Sequence, residues 1–190
     1  MEDVNTDNPK NPNPQGKGTV AMLADWDALR PQLPAVKTPT AILRDYCLSA
    51  LVLAAKFSFR PVLGKLYYLY HDQSQWKLSL VAPAEWGERL PGHFVAACKL
   101  QTDMTWQLDF AELEQDSSAA EALLRFVDGF TDTLANQTDL VDELPFYSSE
   151  LPYYQRMLAT GLSVSLSFSI GKTSPEAMLQ ARTALLISDS

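Results

Sequence analysis

Five side chains in one stretch of this chain carry the types a binding site needs: Tyr68, Glu85, Trp86, Asp103 and Trp106. Aromatic rings attract cations over their faces, and a few placed polar groups orient a ligand, so three rings with two carboxylates at their rim suit a small cationic or aromatic ligand, or a peptide. The centre of this set is the segment from Pro83 to Gly92, which spends Glu85, Trp86, Glu88 and Arg89 where a shorter turn would join two strands. Loops held by a rigid sheet are where binding residues concentrate. Two carboxylates in one cleft also displace each other's pKa, the usual preparation for proton transfer. An enzyme acting on a small molecule, with Glu85 or Asp103 as acid or base, is therefore the alternative to a noncatalytic interaction or ligand-binding module. The competing structural reading is that Trp86 folds back as a core plug and Glu85 caps a short turn.

Other constellations are poorer. Cys47, His71, His93 and Cys98 offer two sulfur and two nitrogen ligands, but only His93 and Cys98 are near each other, whereas zinc ligands come in close pairs. No metal or other cofactor is expected. Gly171-Lys172-Thr173-Ser174 imitates the end of a phosphate-binding loop, yet Leu166 stands where the first glycine belongs. No glycine-flanked serine elbow appears for nucleophilic catalysis, so no catalytic residue is assigned.

The elements that position these residues follow from periodicity. Thr38 before Pro39 starts a helix, because the hydroxyl caps a free amide and proline tolerates the first turn. Ile42, Leu43, Tyr46, Cys47, Ala50, Leu51, Leu53, Ala54 and Phe57 cover more than one stripe, which predicts a central helix buried on most sides. Pro61 and Gly64 end it. Four short strands are predicted near 65–70, 76–81, 93–100 and 105–109, an antiparallel meander with one dry face. Ser118 with Glu121 forms a capping-box pattern ahead of Leu123, Phe126, Val127, Phe130 and Leu134, an amphipathic helix expected to cover the sheet. Ser149 to Ala159 reads as a short helix closed by Gly161. Leu162, Val164, Leu166, Phe168 and Ile170 alternate with four serines, which predicts a strand, and Pro175 opens a last helix. The fold class is α+β. Residues 1–17, rich in proline and asparagine, read as a disordered tail, and a short docked helix is expected over 19–29. Residues 18–190 then form one domain: a helix-plus-meander module over 38–110, and a helical extension with one strand over 111–190.

The run Gly64-Lys65-Leu66-Tyr67-Tyr68-Leu69-Tyr70, followed by Leu78-Ser79, Pro83, Glu85-Trp86-Gly87, Phe94, Lys99-Leu100, Asp103 and Trp106, resembles a family of uncharacterised bacterial and eukaryotic proteins. Its members share a tyrosine-rich strand, a Pro-x-Glu-Trp-Gly loop and a closing Asp-x-x-Trp. The resemblance covers about residues 38–110 and implies a domain of unknown function, with no activity, cofactor or partner to carry over. It also implies that the last 80 or so residues are a separate elaboration.

Composition limits the partners. Hydrophobic residues make up 46% and charged residues 20% of the 190, which is ordinary for a globular chain. The net charge of −8 is concentrated: residues 103–150 carry twelve acidic groups against Arg125 alone. A surface built from that block repels a phosphate backbone, so nucleic acid is not expected as a partner. The longest apolar stretch, Tyr46 to Ala55, is about half of the roughly 20 residues a membrane span needs, so no membrane partner is expected either. Two lone cysteines and a start without a secretory pattern suggest the cytoplasm. The expected partner is a protein or a small molecule.

Overall fold

In a computed structural model of the chain, the described residues are 37–72, 74–114, 116–136 and 151–188. They belong to one compact unit spanning 31–190. The tail and helix expected before residue 30 lie outside the described residues, as does the segment 137–150.

Helix α1 (Pro39–Leu53) begins as its sequence requires: Thr38 Oγ1 accepts from the Ala41 amide at 3.3 Å, and Pro39 occupies the first turn. The other end is closed from a distance. The buried side-chain amide of Gln155 donates to the carbonyls of Leu53 (3.2 Å) and Ala55 (2.7 Å), groups that a helix end leaves without internal partners.

Strands β1 (Leu66–Asp72), β2 (Gln75–Ser79), β3 (His93–Leu100) and β4 (Trp106–Phe110) form one antiparallel sheet. Its order is β2-β1-β3-β4, which differs from a sequential meander. Strand β1 lies inside the sheet, so the chain leaving β2 must pass β1 to reach β3. The crossing is made by residues 80–92, which hold a one-turn helix α2 (Pro83–Trp86) and a 3-10 turn (Gly87–Arg89). The unexpected length of this connection is thus a topological necessity. Gly92 ends it with φ +124°; a Cβ there would lie 2.3 Å from the carbonyl oxygen of His71, so only glycine fits. The outer edge of β2 is closed by Lys56, which exchanges backbone bonds with Trp76 and Leu78.

Because side chains alternate across a strand, the register assigns each residue to a face. Tyr67, Leu69, His71, Leu78, Ala96, Cys98, Leu100, Trp106 and Leu108 share one face, and all are buried. Tyr68, Tyr70, Lys77, Phe94, Lys99 and Gln107 share the other. A bulge at Val95 keeps Phe94 beside Tyr70. Helix α1 packs against β4, and α3 (Ser118–Asn136) reaches β1, so both cover the first face.

The largest departure is at the C-terminus. The expected strand over 162–170 and the expected helix stop at Gly161 are both replaced by one helix, α4 (Tyr153–Gly171), followed by α5 (Pro175–Ser188). Gly161 is buried in mid-helix. At helical spacing Leu158, Leu162 and Leu166 face inward, whereas Val164 and Phe168 are 48% and 40% exposed. The serines do not form a wet face. Ser163 and Ser165 are buried, and the Ser163 hydroxyl is satisfied by the Ala159 carbonyl at 2.9 Å. Small buried residues beside leucines let neighbouring helices approach closely, and α4 packs on α1 in a core of Ile42, Leu43, Leu134, Leu162, Leu166 and Met178.

This register has a direct test by chemical denaturation. Leu162→Ala is expected to cost about 2–5 kcal/mol and Ser165→Val about 1–3 kcal/mol by overpacking, while Val164→Lys stays within about 0.5 kcal/mol. A costly Val164→Lys beside a neutral Ser165→Val would contradict the helix.

His71 supplies a second prediction. It is buried, its ring tilted against that of Trp76 at 4.6 Å, and its Nδ1 has no hydrogen-bond partner among the described residues. Burial, helped by Arg125 of α3 and by His93 and opposed by Asp72, holds its pKa below the ordinary 6.5. The unfolded chain therefore binds the proton more readily, so the stability is present in full above pH 6.5 and is lost as pH falls through the window below it. Unfolding measured from pH 7 to 5 is expected to show this decline, and His71→Phe is expected to flatten it.

Candidate functional site

The structure divides the five residues singled out by sequence between the two faces of the sheet. Trp106 is buried on the helix-covered face, edge-on to Tyr67 at 5.8 Å, and its backbone amide donates to Ser49 Oγ of α1 at 2.9 Å. Tyr68 lies on the other face, 6.2 Å from Phe94. Trp86 sits with it on that side, edge-on to Tyr70 at 6.4 Å, with the Lys77 ammonium 5.9 Å from its ring centre. The Tyr70 hydroxyl donates to the Val81 carbonyl at 2.9 Å and ties the crossing segment to the strand it passes. One floor built from Tyr68, Trp86 and Trp106 does not form.

Glu85 and Asp103 are likewise apart. Glu85 closes the turn of α2 by accepting from the Ala82 amide at 2.9 Å, the capping role expected of it in the structural reading. Asp103 belongs to the β3–β4 turn, where Gln101 and Thr105 pair across three loop residues and Met104 takes φ +65°. A non-glycine residue in that region is strained; the Met104 side chain is fully buried, and that apolar contact holds it there.

Asp103 is 6% exposed, and each of its oxygens is engaged. Oδ1 accepts from the Thr105 amide (3.1 Å) and hydroxyl (2.6 Å), an Asx-type turn. Oδ2 lies 2.5 Å from Lys37 Nζ, which lies at the same distance from Asp45 Oδ2 of α1. Burial alone would raise the Asp103 pKa; hydrogen bonds from Lys37 and Thr105 outweigh it and hold the carboxyl below the usual 3.8. Burial alone would lower the Lys37 pKa; hydrogen bonds to Asp103 and Asp45 outweigh it and hold the ammonium above 10.5.

This array forms one wall of a cleft of about 690 Å³ between α1 and the β3–β4 turn. Ala41, Arg44, Asp45 and Leu48 line it from the helix, and Gln101, Thr105, Trp106 and Leu108 from the sheet. A second cleft, of about 560 Å³, lies between Lys56, Gln75, Lys77 and Gln155. Asp103 and Trp106 thus meet in the first cleft, and neither Glu85 nor Trp86 lines either one. Sequence reasoning missed Lys37, Arg44 and Asp45. Among the described residues, no three His, Cys, Asp or Glu side chains come together to hold a metal ion. The Gly171–Ser174 run is a plain connection between helices: Thr173 bonds back to Ser169, and Ser174 caps α5 at Ala177. Among the described residues, no helix is long and apolar enough to cross a membrane.

Residues 35–128 match the family model described as "Protein of unknown function (DUF2452)". The match takes in α1, the whole sheet, the crossing segment and the first half of α3, and it contains every residue named in the first cleft. No solved structure matches the chain.

Asp103→Asn keeps a side-chain oxygen to accept from the Thr105 amide, but it removes the negative charge that faces Lys37 and leaves part of that ammonium uncompensated. Asp103→Asn is expected to cost about 1–3 kcal/mol, the range for an orphaned buried partner, since Lys37 stays partly solvated and keeps Asp45. The wild-type contribution is present above pH 3.8 and is lost as pH falls below it through the depressed folded value. Denaturation at pH 7 and pH 3 checks both: the gap between the two proteins is expected to shrink at pH 3.

Proposed function

We propose that this domain is a noncatalytic binding module whose ligand occupies the cleft between α1 and the β3–β4 turn. The observation that carries the reading is the state of the groups able to do chemistry. Asp103 is held as a carboxylate and Lys37 as an ammonium. Burial pushes the thiols of Cys47 and Cys98 up to about 11 and 12. Proton transfer favours a pKa near the working pH, and thiol attack needs the thiolate; both requirements are opposed here, while the cleft stays open. Free thiols suit the reducing cytoplasm, and the net charge of −8 disfavours nucleic acid and anionic membrane surfaces. The partner of this cleft is a small molecule.

A second reading places a protein on the sheet face of Tyr68 and Phe94, because Leu66 stands on that face beside Lys99 and is 52% exposed. Lys77 and Lys99 on the same face suit a segment of apolar residues with acidic flanks.

Two variants separate these readings. Ala41→Trp fills the cleft from an α1 position without touching a charge, and is expected to lose small molecules retained on native purification and identified by mass spectrometry. Trp86→Ala is expected to keep them. Retention by a folded Ala41→Trp protein contradicts the cleft reading, and loss of a copurifying protein by Trp86→Ala alone supports the second.

A further inference from the structure

The charges lining the cleft are not equally engaged. Asp103 is saturated by Thr105 and Lys37, and Lys37 is shared between Asp103 and Asp45. Asp45 gives Lys37 only its Oδ2, so its other oxygen has acceptor capacity left. Arg44, exposed at the next position of α1, makes no hydrogen bond or ion pair with any described residue. The cleft therefore presents one unspent anionic oxygen and one unspent guanidinium at successive residues, with Leu48, Trp106 and Leu108 as an apolar wall.

A ligand with a single anion meets Arg44 but also Asp45, and a single cation meets the reverse, so attraction and repulsion offset each other. A ligand carrying both charges on neighbouring atoms satisfies the two groups together. We propose that the cleft takes a small zwitterion of the α-amino-acid class: carboxylate on Arg44, ammonium on the free oxygen of Asp45, side chain against Trp106 and the two leucines. A guanidinium fork matches a carboxylate with two parallel hydrogen bonds, which a lone ammonium does not offer. A cleft of about 690 Å³ admits an amino acid with a large side chain. This inference rests on reading the cleft as the ligand site and adds the charge pattern of what fills it.

The test uses the full chain and three probes that differ only in charge: phenylalanine, phenethylamine and 3-phenylpropanoate. Binding is read by calorimetry, and the site by chemical shifts of the Gln101 and Gln107 amides and the Trp106 indole. Phenylalanine is expected to bind at least about tenfold more tightly than either singly charged analogue, the factor one satisfied charge contributes at a partly exposed site. In Arg44→Gln, an exposed position that leaves the fold intact, its affinity is expected to fall to that of phenethylamine. The proposal is overturned if either analogue equals phenylalanine, if Arg44→Gln leaves the phenylalanine affinity unchanged, or if phenylalanine shows no saturable binding up to on the order of 10 mM. Any of these results beside a retained ligand that Ala41→Trp expels overturns the zwitterion alone; failure of Ala41→Trp to expel anything overturns the cleft reading as well.

Discussion

The buried carboxylate of Asp103 is the constraint on which the site depends. A charge placed at 6% exposure persists only where donors surround it. Two come from its own turn through Thr105 and one from Lys37, at the mouth of α1. Because Lys37 also binds Asp45, satisfying Asp103 fixes the first turns of α1 against the β3–β4 turn. Two residues after β3–β4 pairing reverses the chain, the Trp106 amide is bonded to Ser49, one turn beyond Asp45 on the same helix. Gln155 then secures the far end of α1 from α4. The helix is held at its start, middle and end, and the space left along its polar side is the cleft.

A second constraint is the inner position of β1. Tyr67 and Leu69 on one face and Tyr70 on the other are all fully buried, so this strand needs cover on both sides. Helices supply it on one face. The crossing segment supplies it on the other, with Trp86 over Tyr70 and Val81 bonded to the Tyr70 hydroxyl. The Pro-x-Glu-Trp-Gly residues act there as structure: proline starts a one-turn helix, Glu85 closes it, and Trp86 covers the strand.

What was legible in the sequence was mostly local. Thr38-Pro39 marked the start of α1, and β3 has the expected bounds of His93 and Leu100, because capping and period-two alternation act within a few residues. Strand order was hidden, since whether β2 lies outside β1 depends on pairing across the sheet. The serine alternation over 162–170 misled for a physical reason. A serine hydroxyl can be buried in a helix when it bonds the carbonyl four residues back, as Ser163 does, so polar residues at alternate positions do not require a wet face. The lining of the candidate cleft was half legible. Asp103 and Trp106 line the cleft, while Tyr68, Glu85 and Trp86 stand on the other side of a sheet whose pleat separates them. Lys37, Arg44 and Asp45 gave no signal by type, being ordinary charges at a helix start; only their partners across the chain single them out.

The proposed role of the cleft, binding rather than chemistry, is tested most directly at Asp103. A carbon-13 titration of the side-chain carboxyls in the intact chain reads its ionisation without perturbing the site. The expected midpoint for Asp103 lies below the ordinary 3.8, held there by Lys37 and Thr105 against the opposing effect of burial. A midpoint above the ordinary carboxylate range would mean that burial wins, that a proton is available in the cleft near neutral pH, and that the noncatalytic reading is wrong.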